Sequence, residues 1–346
     1  MIFSKILNHW YSNNKRELPW RLTRSPYYIW LSEIILQQTQ IKQGLPYYEA
    51  FIEEFPSVFH LAKAKESQVL KLWQGLGYYS RARNLHATAQ YIVEELKGEF
   101  PNNYKELLKL KGVGDYTASA IASICFNEST AVVDGNVYRV LSRYFGIETP
   151  INSSKGAKEF KQLAQELIDK NNPADFNQAI MEFGAVHCKP QNPDCKICPF
   201  KNNCIAFNEN RINDLPVKIK LNKATKKYFN FLVIISKDQK TILEKREDKG
   251  IWQNLYQFPL IETSNEMSFE EFQTILKAKD LFKAVDFELS LYNEDLIVHK
   301  LSHQHLYTKF WIVNVENLEE AKIPFSEIHQ YPVPILIGNF IERFNF

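Results

Sequence analysis

Residues 110–118 read LKGVGDYTA and place the tight turn GVG between two predicted helices, at 103–109 and 115–126. Glycine adopts positive φ readily and lets a ligand approach the backbone closely. The second helix offers unpaired N–H groups at its start, and such groups suit a phosphate. Contacts of this kind position a protein on DNA without reading its sequence. An ordinary connection between two helices looks the same, so the turn alone is a weak signal.

The residues around this turn predict a domain of packed short helices. Their connectors are short and contain glycine or proline, and strand signals are scarce up to about residue 210. Further on, the stretches YFNFLVIIS (228–236) and KFWIVNV (309–315) are typical of strands. We therefore predict a multi-domain protein with an all-α domain at 1–212, a linker at 213–226 and an α+β domain at 227–346.

The composition is that of an ordinary soluble protein of 346 residues, 45% hydrophobic and 24% charged. The net charge of +2 does not by itself indicate a nucleic-acid partner, so any basic surface that binds one must be local. No apolar run approaches membrane-spanning length, and the N-terminus lacks the features of a signal peptide. We expect a cytoplasmic location, no membrane partner and no disulfides.

The helix predicted at 27–43 carries one carboxylate, Glu33, inside an apolar stretch. Residues three and four positions away are helical neighbours, which gives Glu33 contacts with Ile29, Trp30 and Leu36. Such neighbours withhold water and raise the pKa of a carboxyl group, as a general acid requires near neutral pH. A core glutamate that pairs with an arginine or a backbone amide explains the same pattern, and taken alone that is the commoner case.

The segment VVDGNVYRV (132–140) ends an apolar run and opens a helix at Asp134. Aspartate is among the best N-cap residues, which by itself accounts for its position. The start of a helix also favours the ionised carboxylate, so we predict that Asp134 stays charged. A fixed anion beside a carboxylic acid of raised pKa is the pair needed to break a glycosidic bond.

Four of the five cysteines crowd into one loop with the spacing C-x6-C-x2-C-x5-C. Zinc more often uses two separate C-x2-C pairs, and iron–sulfur clusters also take four cysteines, so the spacing leaves zinc and a 4Fe–4S cluster comparable. The fifth cysteine, Cys125, lies in an apolar helix and is most simply a core residue. The candidate metal ligands are Cys188, Cys195, Cys198 and Cys204.

In this order, the helical glutamate, L-x-G-V-G, V-D-G-N and the cysteine loop resemble the helix-hairpin-helix DNA glycosylases that carry an iron–sulfur loop. The resemblance covers essentially the whole chain and is strongest to their adenine-specific branch. It implies a monofunctional enzyme of base excision repair that removes adenine opposite 8-oxoguanine or guanine in duplex DNA. It also implies a 4Fe–4S cluster rather than zinc. We expect a monomer associated with a bacterial-type nucleoid.

By the same resemblance, Glu33 protonates adenine N7, Asp134 stabilises the oxocarbenium-like sugar, and Tyr116 and Asn136 support that site. The endonuclease III branch has a catalytic lysine at the position of Tyr116, and a tyrosine cannot form a Schiff base. The implied DNA and lesion contacts are Arg21, Gln38, Thr39, Leu76, Tyr78, Gly112, Gly114, Ser302 and His303.

Two of these contacts have a specific expected place on the DNA. Gln38 would fill the stack beside the extruded adenine, consistent with base flipping. Tyr78 would wedge beside 8-oxoguanine, although packing at a helix start also explains an aromatic there. The chain departs from the usual hairpin at Lys111, where proline is usual, and at Asp115, where arginine is common. Asp115 is expected to place an anion close to the DNA backbone.

The second half resembles the Nudix-like C-terminal domain of the same branch, on GIWQNLYQFP (250–259). No R-E-x-x-E-E sequence follows this stretch, so we expect no pyrophosphate hydrolysis. The sequence LSH, ending at His303, resembles the F-S-H loop of the branch with leucine in place of phenylalanine. The resemblance implies that Ser302 hydrogen-bonds the altered N7–H/O8 edge of 8-oxoguanine.

Two other functions remain open from the sequence. One is a bifunctional pyrimidine glycosylase and AP lyase of the endonuclease III type, against which Tyr116 and the long second domain argue. The other is a non-enzymatic iron–sulfur module that binds DNA, in which Glu33 and Asp134 are structural.

Overall fold

The computed structural model describes residues 2–220, 224–283, 285–344 and 346. The chain packs as two compact units, which we call the first and the second unit. The first unit is Met1–Lys63 with Asn84–Lys220, and the second unit is Ala64–Arg83 with Leu221–Phe346. The domain bounds at 1–212 and 227–346 stay a prediction, and the linker at 213–226 includes residues 221–223, which lie outside the described residues.

In the part of the first unit that the structure describes, every regular element is helical, as predicted. The helices are α1 (Ile2–Asn14), α2 (Pro26–Leu36), α3 (Ile41–Glu54), α4 (Val58–Lys63), α6 (Ser80–Glu94, which begins in the second unit), α7 (Tyr104–Leu107), α8 (Asp115–Phe126), α9 (Gly135–Phe145), α10 (Ser154–Leu167), α11 (Pro173–Val186) and α12 (Ile205–Asn208). Pro26 lies at the start of α2, where its missing N–H costs no hydrogen bond.

The hairpin predicted around the GVG turn is present between α7 and α8. Gly112 has φ +80°, and a Cβ there would lie 2.8 Å from the Cβ of Asn84, so only glycine fits without rearrangement. Gly114 caps α8, and a Cβ added to it would meet nothing within 4 Å. The turn therefore leaves open space in front of the first turn of α8.

The helix predicted at 27–43 is broken. α2 ends at Leu36 and α3 begins at Ile41, and Gln38 between them has φ +54°. A non-glycine residue in this region is uncommon and is held there by its surroundings. Thr39 N donates to the carbonyl of Leu36 at 3.1 Å, which closes the turn.

The second unit is built on a five-stranded sheet in the order β5-β1-β8-β6, with β7 also paired to β8. The central pair is parallel, with Phe231 opposite Phe310, and the other pairs are antiparallel. Its elements are α5 (Glu66–Leu72), β1 (Thr225–Ser236), β2 (Lys240–Thr241), β3 (Glu244–Lys245), β4 (Tyr256–Gln257), β5 (Leu260–Thr263), α13 (Phe269–Lys277), β6 (Phe287–Leu291), β7 (Ile297–Lys300), β8 (Gln304–Val315), β9 (Ile323–Pro324) and α14 (Ile335–Arg343).

Helices cover both faces of this sheet, since successive residues of β8 point to opposite sides. Trp311 stacks on Phe272 of α13 with ring centroids 4.1 Å apart. Its neighbour Phe310 stacks on Phe340 of α14 at 4.2 Å. The α+β class predicted for the second half is confirmed.

The segment Ala64–Arg83 belongs to the second unit through specific contacts. Asn254 Nδ2 donates to Glu66 Oε1 at 2.7 Å, and the Tyr79 hydroxyl donates to the carbonyl of Val333 at 3.3 Å. The sequence did not predict this exchange of chain between the units. Among the described residues, no helix is both long and apolar enough to span a bilayer.

Candidate active site

A cleft of about 1020 Å³ opens in the first unit between the end of α2, the hairpin and the start of α9. Six residues predicted from the sequence line it together with parts of the hairpin backbone. These residues are Glu33, Gln38, Thr39, Tyr116, Asp134 and Asn136, with Gly114 at the rim of the same cleft. Their roles stay predictions, but residues up to 103 positions apart in the sequence do share one space.

Glu33 has the environment predicted from its helical neighbours. It is 8% exposed, and Ile29 and Trp30 beside it are fully buried. Burial, with a smaller contribution from the negative charge of Asp134, raises the pKa of Glu33 to about 7. A hydrogen bond with Tyr116 and the charge of Arg21 act in the opposite direction. The predicted rise is confirmed, and this carboxyl group exchanges its proton near neutral pH.

Asp134 is the N-cap of α9, as predicted. One carboxylate oxygen accepts from the backbone N–H groups of Asn136 and Val137, both at 2.8 Å, and the other accepts from the Asn136 amide at 2.8 Å. These bonds lower the pKa of Asp134, but burial outweighs them and the net change is upward. The prediction that the helix start keeps this group ionised therefore omitted the larger influence, which is burial.

Tyr116 lies in the first turn of α8 beside both carboxyl groups. Its hydroxyl donates to the sulfur of Met181 at 3.1 Å, and it is a hydrogen-bonding influence on the pKa of Glu33. Burial raises the pKa of this phenol well above its ordinary value, with added effects of the Glu33 and Asp134 charges. The side chain therefore stays neutral and acts through its single proton.

Arg139 supports the site and was missed in the sequence. Its guanidinium donates to Asn136 Oδ1 at 2.9 Å, to the carbonyl of Gly184 at 2.7 Å and to the carbonyl of Cys188 at 2.7 Å. The amide that holds Asp134 is thus fixed by the same cation that binds the first residue of the cysteine loop. An arginine three positions after Asn136 on a helix was the available signal.

Arg21, predicted to contact DNA, is bound within the first unit. Its guanidinium donates to Glu182 at 2.7 Å and to the carbonyl of Arg16 at 2.9 Å, and its side chain is 13% exposed. Burial raises the pKa of Glu182, but its hydrogen bonds with Arg16 and Arg21 outweigh burial and hold the pKa of Glu182 at about 2. Arg16, which the sequence did not single out, lines the cleft instead.

The anion expected at Asp115 is exposed, but it is paired with a lysine of the same unit. Lys161 lies 2.9 Å from its carboxylate, and the Tyr104 hydroxyl donates to it at 2.6 Å. The same ammonium group donates to Ser119 Oγ and to the carbonyl of Ala131. The hairpin therefore presents no unbalanced negative charge at this position.

All four cysteines of the loop line one cavity. Buried Arg143 lies beside them, with Nη1 3.5 Å from Cys188 Sγ and 2.7 Å from the carbonyl of Lys189. Among the described residues, no group of three or more cysteine, histidine or acidic side chains is arranged to hold a single metal ion. Cys125 lies on α8, outside this cavity, and is partly buried rather than the core residue that was predicted.

The second unit contains a separate cavity of about 580 Å³, which we call the second cavity. The Tyr78 hydroxyl lies 2.6 Å from Ser302 Oγ, and Leu76 and His303 line the same space. Tyr78 is 50% exposed and has φ +48°. The four lesion contacts predicted at opposite ends of the sequence therefore meet, because Ala64–Arg83 packs in this unit.

Two family models match the two halves of the chain. The model of a family described as HhH-GPD superfamily base excision DNA repair protein matches residues 31–170, and that of the NUDIX domain matches residues 230–343. The chain is 36% identical to the adenine DNA glycosylase of Buchnera aphidicola subsp. Baizongia pistaciae, over 90% of this chain and 86% of that protein. It is 35% identical to the adenine DNA glycosylase of Buchnera aphidicola subsp. Schizaphis graminum, over 99% of both.

Among solved structures, a thermostable thymine-DNA glycosylase resembles the chain with 31% identity and a TM-score of 0.56. The match covers 60% of this chain and 96% of that one.

Proposed function

We propose that this chain, which belongs to the adenine DNA glycosylase (MutY) family of the HhH-GPD superfamily, removes adenine paired with 8-oxoguanine or guanine in duplex DNA. The observation that carries the proposal is a buried carboxyl group, Glu33, with a pKa of about 7 in one cleft with Asp134. Hydrolysis of a glycosidic bond requires two carboxyl groups in different environments, one that stays protonated and acts as the acid and one that is ionised.

Glu33 is the proton donor in this mechanism. Adenine leaves poorly as an anion, and protonation at N7 makes it a neutral leaving group. With a pKa of about 7, Glu33 carries a proton in an appreciable fraction of molecules at pH 7, whereas a glutamate of ordinary pKa would rarely do so. The surrounding apolar side chains therefore supply the acid at the pH where the enzyme works.

Asp134 stabilises the positive charge that develops on the sugar as the bond breaks. Its carboxylate is held by Asn136 and by the start of α9, so it need not reorganise during the reaction. Arg139 fixes Asn136 from the other side. The developing cation offsets the effect of burial, because a positive neighbour favours the ionised carboxylate.

The enzyme is monofunctional in this proposal. A bifunctional glycosylase needs an amine near the sugar to form a Schiff base, and the residue at that position is Tyr116. Its phenol has a strongly raised pKa and offers no amine. Water is therefore the group that bonds to the sugar in place of adenine, and the DNA strand stays intact after adenine is released.

DNA binding is assigned to the hairpin and to the connection between α2 and α3. Gly112 and Gly114 let a phosphate approach the free N–H groups at the start of α8. Gln38 and Thr39 line the cleft and fill the space beside the flipped adenine. Arg21 acts indirectly, since Glu182 already holds its guanidinium.

Recognition of the opposite base is assigned to the second cavity. Ser302 hydrogen-bonds the N7–H/O8 edge of 8-oxoguanine, and Tyr78 wedges beside that base. The hydrogen bond between their hydroxyls holds both side chains in place before DNA arrives. His303 and Leu76 complete this surface.

The cysteine loop is assigned a 4Fe–4S cluster. The four cysteines line one cavity, and four thiolates are the ligand set that such a cluster takes. The charge of buried Arg143 favours the thiolates of Cys195 and Cys204, the form that binds metal, although burial is the larger influence and raises the pKa of both thiols. When bound, the cluster supplies four metal–thiolate bonds that stabilise the loop; the Arg139 contact with Cys188 then keeps Asn136 in place.

Metal analysis tests the cofactor. Anaerobically purified protein is expected to contain four irons per chain with inorganic sulfide, and Cys198→Ser is expected to lose them. Cys125→Ser serves as the control and should keep the metal. One zinc per chain without iron would contradict the assignment.

Single-turnover base release tests the activity. Duplexes with adenine opposite 8-oxoguanine, guanine and thymine should release adenine from the first two only, and strand cleavage should require heat or alkali. Efficient trapping of a covalent adduct by borohydride would instead favour the bifunctional pyrimidine type. Binding without any base release would favour the non-enzymatic DNA-binding module.

A further inference from the structure

Tyr116 has two acceptors within reach of one phenolic proton. Its oxygen lies 3.1 Å from the sulfur of Met181, on α11, and the same hydroxyl acts on Glu33, on α2, as a hydrogen-bond donor that lowers the pKa of that carboxyl group. A phenol carries a single O–H, so it donates to one of these groups at a time. Which acceptor it serves decides how Glu33 is solvated inside a buried site.

The two acceptors have opposite consequences for the acid. A carboxylate is a strong acceptor and a thioether a weak, neutral one. When the hydroxyl donates to Glu33, it stabilises the carboxylate. When it donates to Met181, the lone pairs of the phenolic oxygen face Glu33, and only the protonated acid can use them as an acceptor.

We propose that Met181 is a positioning residue that accepts the Tyr116 hydroxyl while Glu33 is protonated, and so favours the protonated form of Glu33 until adenine is bound. The inference rests on the proposed function, in which Glu33 is the proton donor. It assigns a purpose to a methionine of α11 that is not among the residues lining the cleft.

The other groups that act on Glu33 surround it from three elements. Asp134 raises its pKa from the start of α9, and Arg21 lowers it from the turn before α2. Cys125, on α8, interacts with it as a neutral thiol because burial raises the thiol pKa to about 12. None of these groups exchanges a hydrogen bond with Met181, so substitutions there isolate the proton of Tyr116.

The first test replaces the sulfur with carbon. Met181→Leu keeps the volume and removes the acceptor. We measure the single-turnover rate of adenine release from pH 5 to 9 on an A:8-oxoguanine duplex. The basic limb is expected to shift about half a unit to lower pH, which lowers the rate about threefold above pH 8.

The second test strengthens the acceptor. Met181→Gln offers an amide oxygen, a better acceptor than a thioether, so the basic limb is expected to shift to higher pH or to stay in place. A loss of packing would affect both variants in the same direction and change the maximum rate. A downward shift of equal size in the Leu and Gln variants would therefore overturn the inference.

The Tyr116→Phe background removes the phenolic proton. In that background, Met181→Leu and Met181→Gln are expected to leave the basic limb where Tyr116→Phe alone places it. Met267→Leu, the same change on a half-buried methionine of the second unit, is the matched control and should reproduce the wild-type profile. If the Leu variant does not fold, the Gln variant and the Phe background still decide.

The outcomes separate this inference from the function on which it rests. If Glu33→Gln is inactive but Met181→Leu has the wild-type profile, Met181 is only packing and the inference fails. If Glu33→Gln releases adenine as fast as wild type, Glu33 is not the donor and the proposed function fails.

Discussion

The cleft of the first unit and the second cavity hold their polar side chains in different environments. Glu33 in the cleft is 8% exposed, whereas Tyr78 at the second cavity is 50% exposed. Burial changes the proton affinity of every ionisable group that the cleft uses. At the second cavity, solvent competes with each hydrogen bond. We therefore expect large effects on the reaction from the cleft and modest effects on selectivity from the second cavity.

The largest effect is expected from the two carboxyl groups. Glu33→Gln keeps the size and polarity of the side chain but cannot donate an acidic proton, so adenine release should fall about 100- to 10,000-fold. Asp134→Asn keeps an N-cap and loses only the charge, with a loss of similar order. Both variants should bind A:8-oxoguanine DNA within a few-fold of wild type in a gel-shift titration.

The control for this comparison is Glu49→Gln, the same substitution at an exposed position of α3. It should change neither rate nor affinity. A Glu33→Gln enzyme within a few-fold of the wild-type rate would show that Glu33 is only a structural core residue.

The next effect concerns stability. Folding raises the pKa of Glu33 from 4.5 to about 7, so the folded state holds its proton more tightly than the unfolded state. Its contribution to stability is unchanged below about pH 4.5 and becomes less favourable as the pH rises through 7. Above that, ionisation costs about 3 kcal/mol. Glu33→Gln removes this cost.

Urea unfolding at two pH values measures the effect. Glu33→Gln should match wild type near pH 4.5 and unfold at a higher urea concentration at pH 8. Glu49→Gln should follow wild type at both. Equal midpoints of Glu33→Gln and wild type at pH 8 would show that burial does not hold the pKa of Glu33 near 7.

The sequence was informative where a site depends on local spacing. The neighbours of Glu33 on one helix, the N-cap at Asp134 and the cysteine spacing are all set within a few turns of chain. The first two were placed correctly, whereas the role of the cysteines as metal ligands stays a prediction; the fold class follows from the same local patterns. The prediction of one helix over 27–43 was wrong because Gln38 adopts positive φ, a conformation that is uncommon for glutamine and that the sequence therefore does not predict.

Contacts between distant residues could not be predicted. Met181 reaches Tyr116 across 65 positions, and Lys161 neutralises Asp115 across 46. The packing of Ala64–Arg83 in the second unit depends on hydrogen bonds to residues 170 or more positions away, such as that of Arg83 to the carbonyl of Gln253. Such pairs are fixed by tertiary packing, and no periodicity in one sequence reports them.

The smallest expected effect lies at the second cavity and tests the other side of the comparison. Tyr78→Phe keeps the ring and removes the hydroxyl that lies 2.6 Å from Ser302 Oγ, and Ser302→Ala removes the partner. A solvent-exposed hydrogen bond of this kind contributes about 0.5–1.5 kcal/mol, so each variant should lose about two- to tenfold of the preference for 8-oxoguanine over guanine. The rate on each duplex under saturating single-turnover conditions should change little, because Glu33 and Asp134 are untouched.

If the two hydroxyls act as a pair, the double variant should lose no more than the larger single loss, as a double-mutant cycle would show. Tyr91→Phe, at an exposed tyrosine of α6 in the first unit, is the control and should keep full preference. Full preference in the double variant would remove these two hydroxyls from lesion recognition, and a large fall in rate on both duplexes would show that the second cavity takes part in the reaction itself.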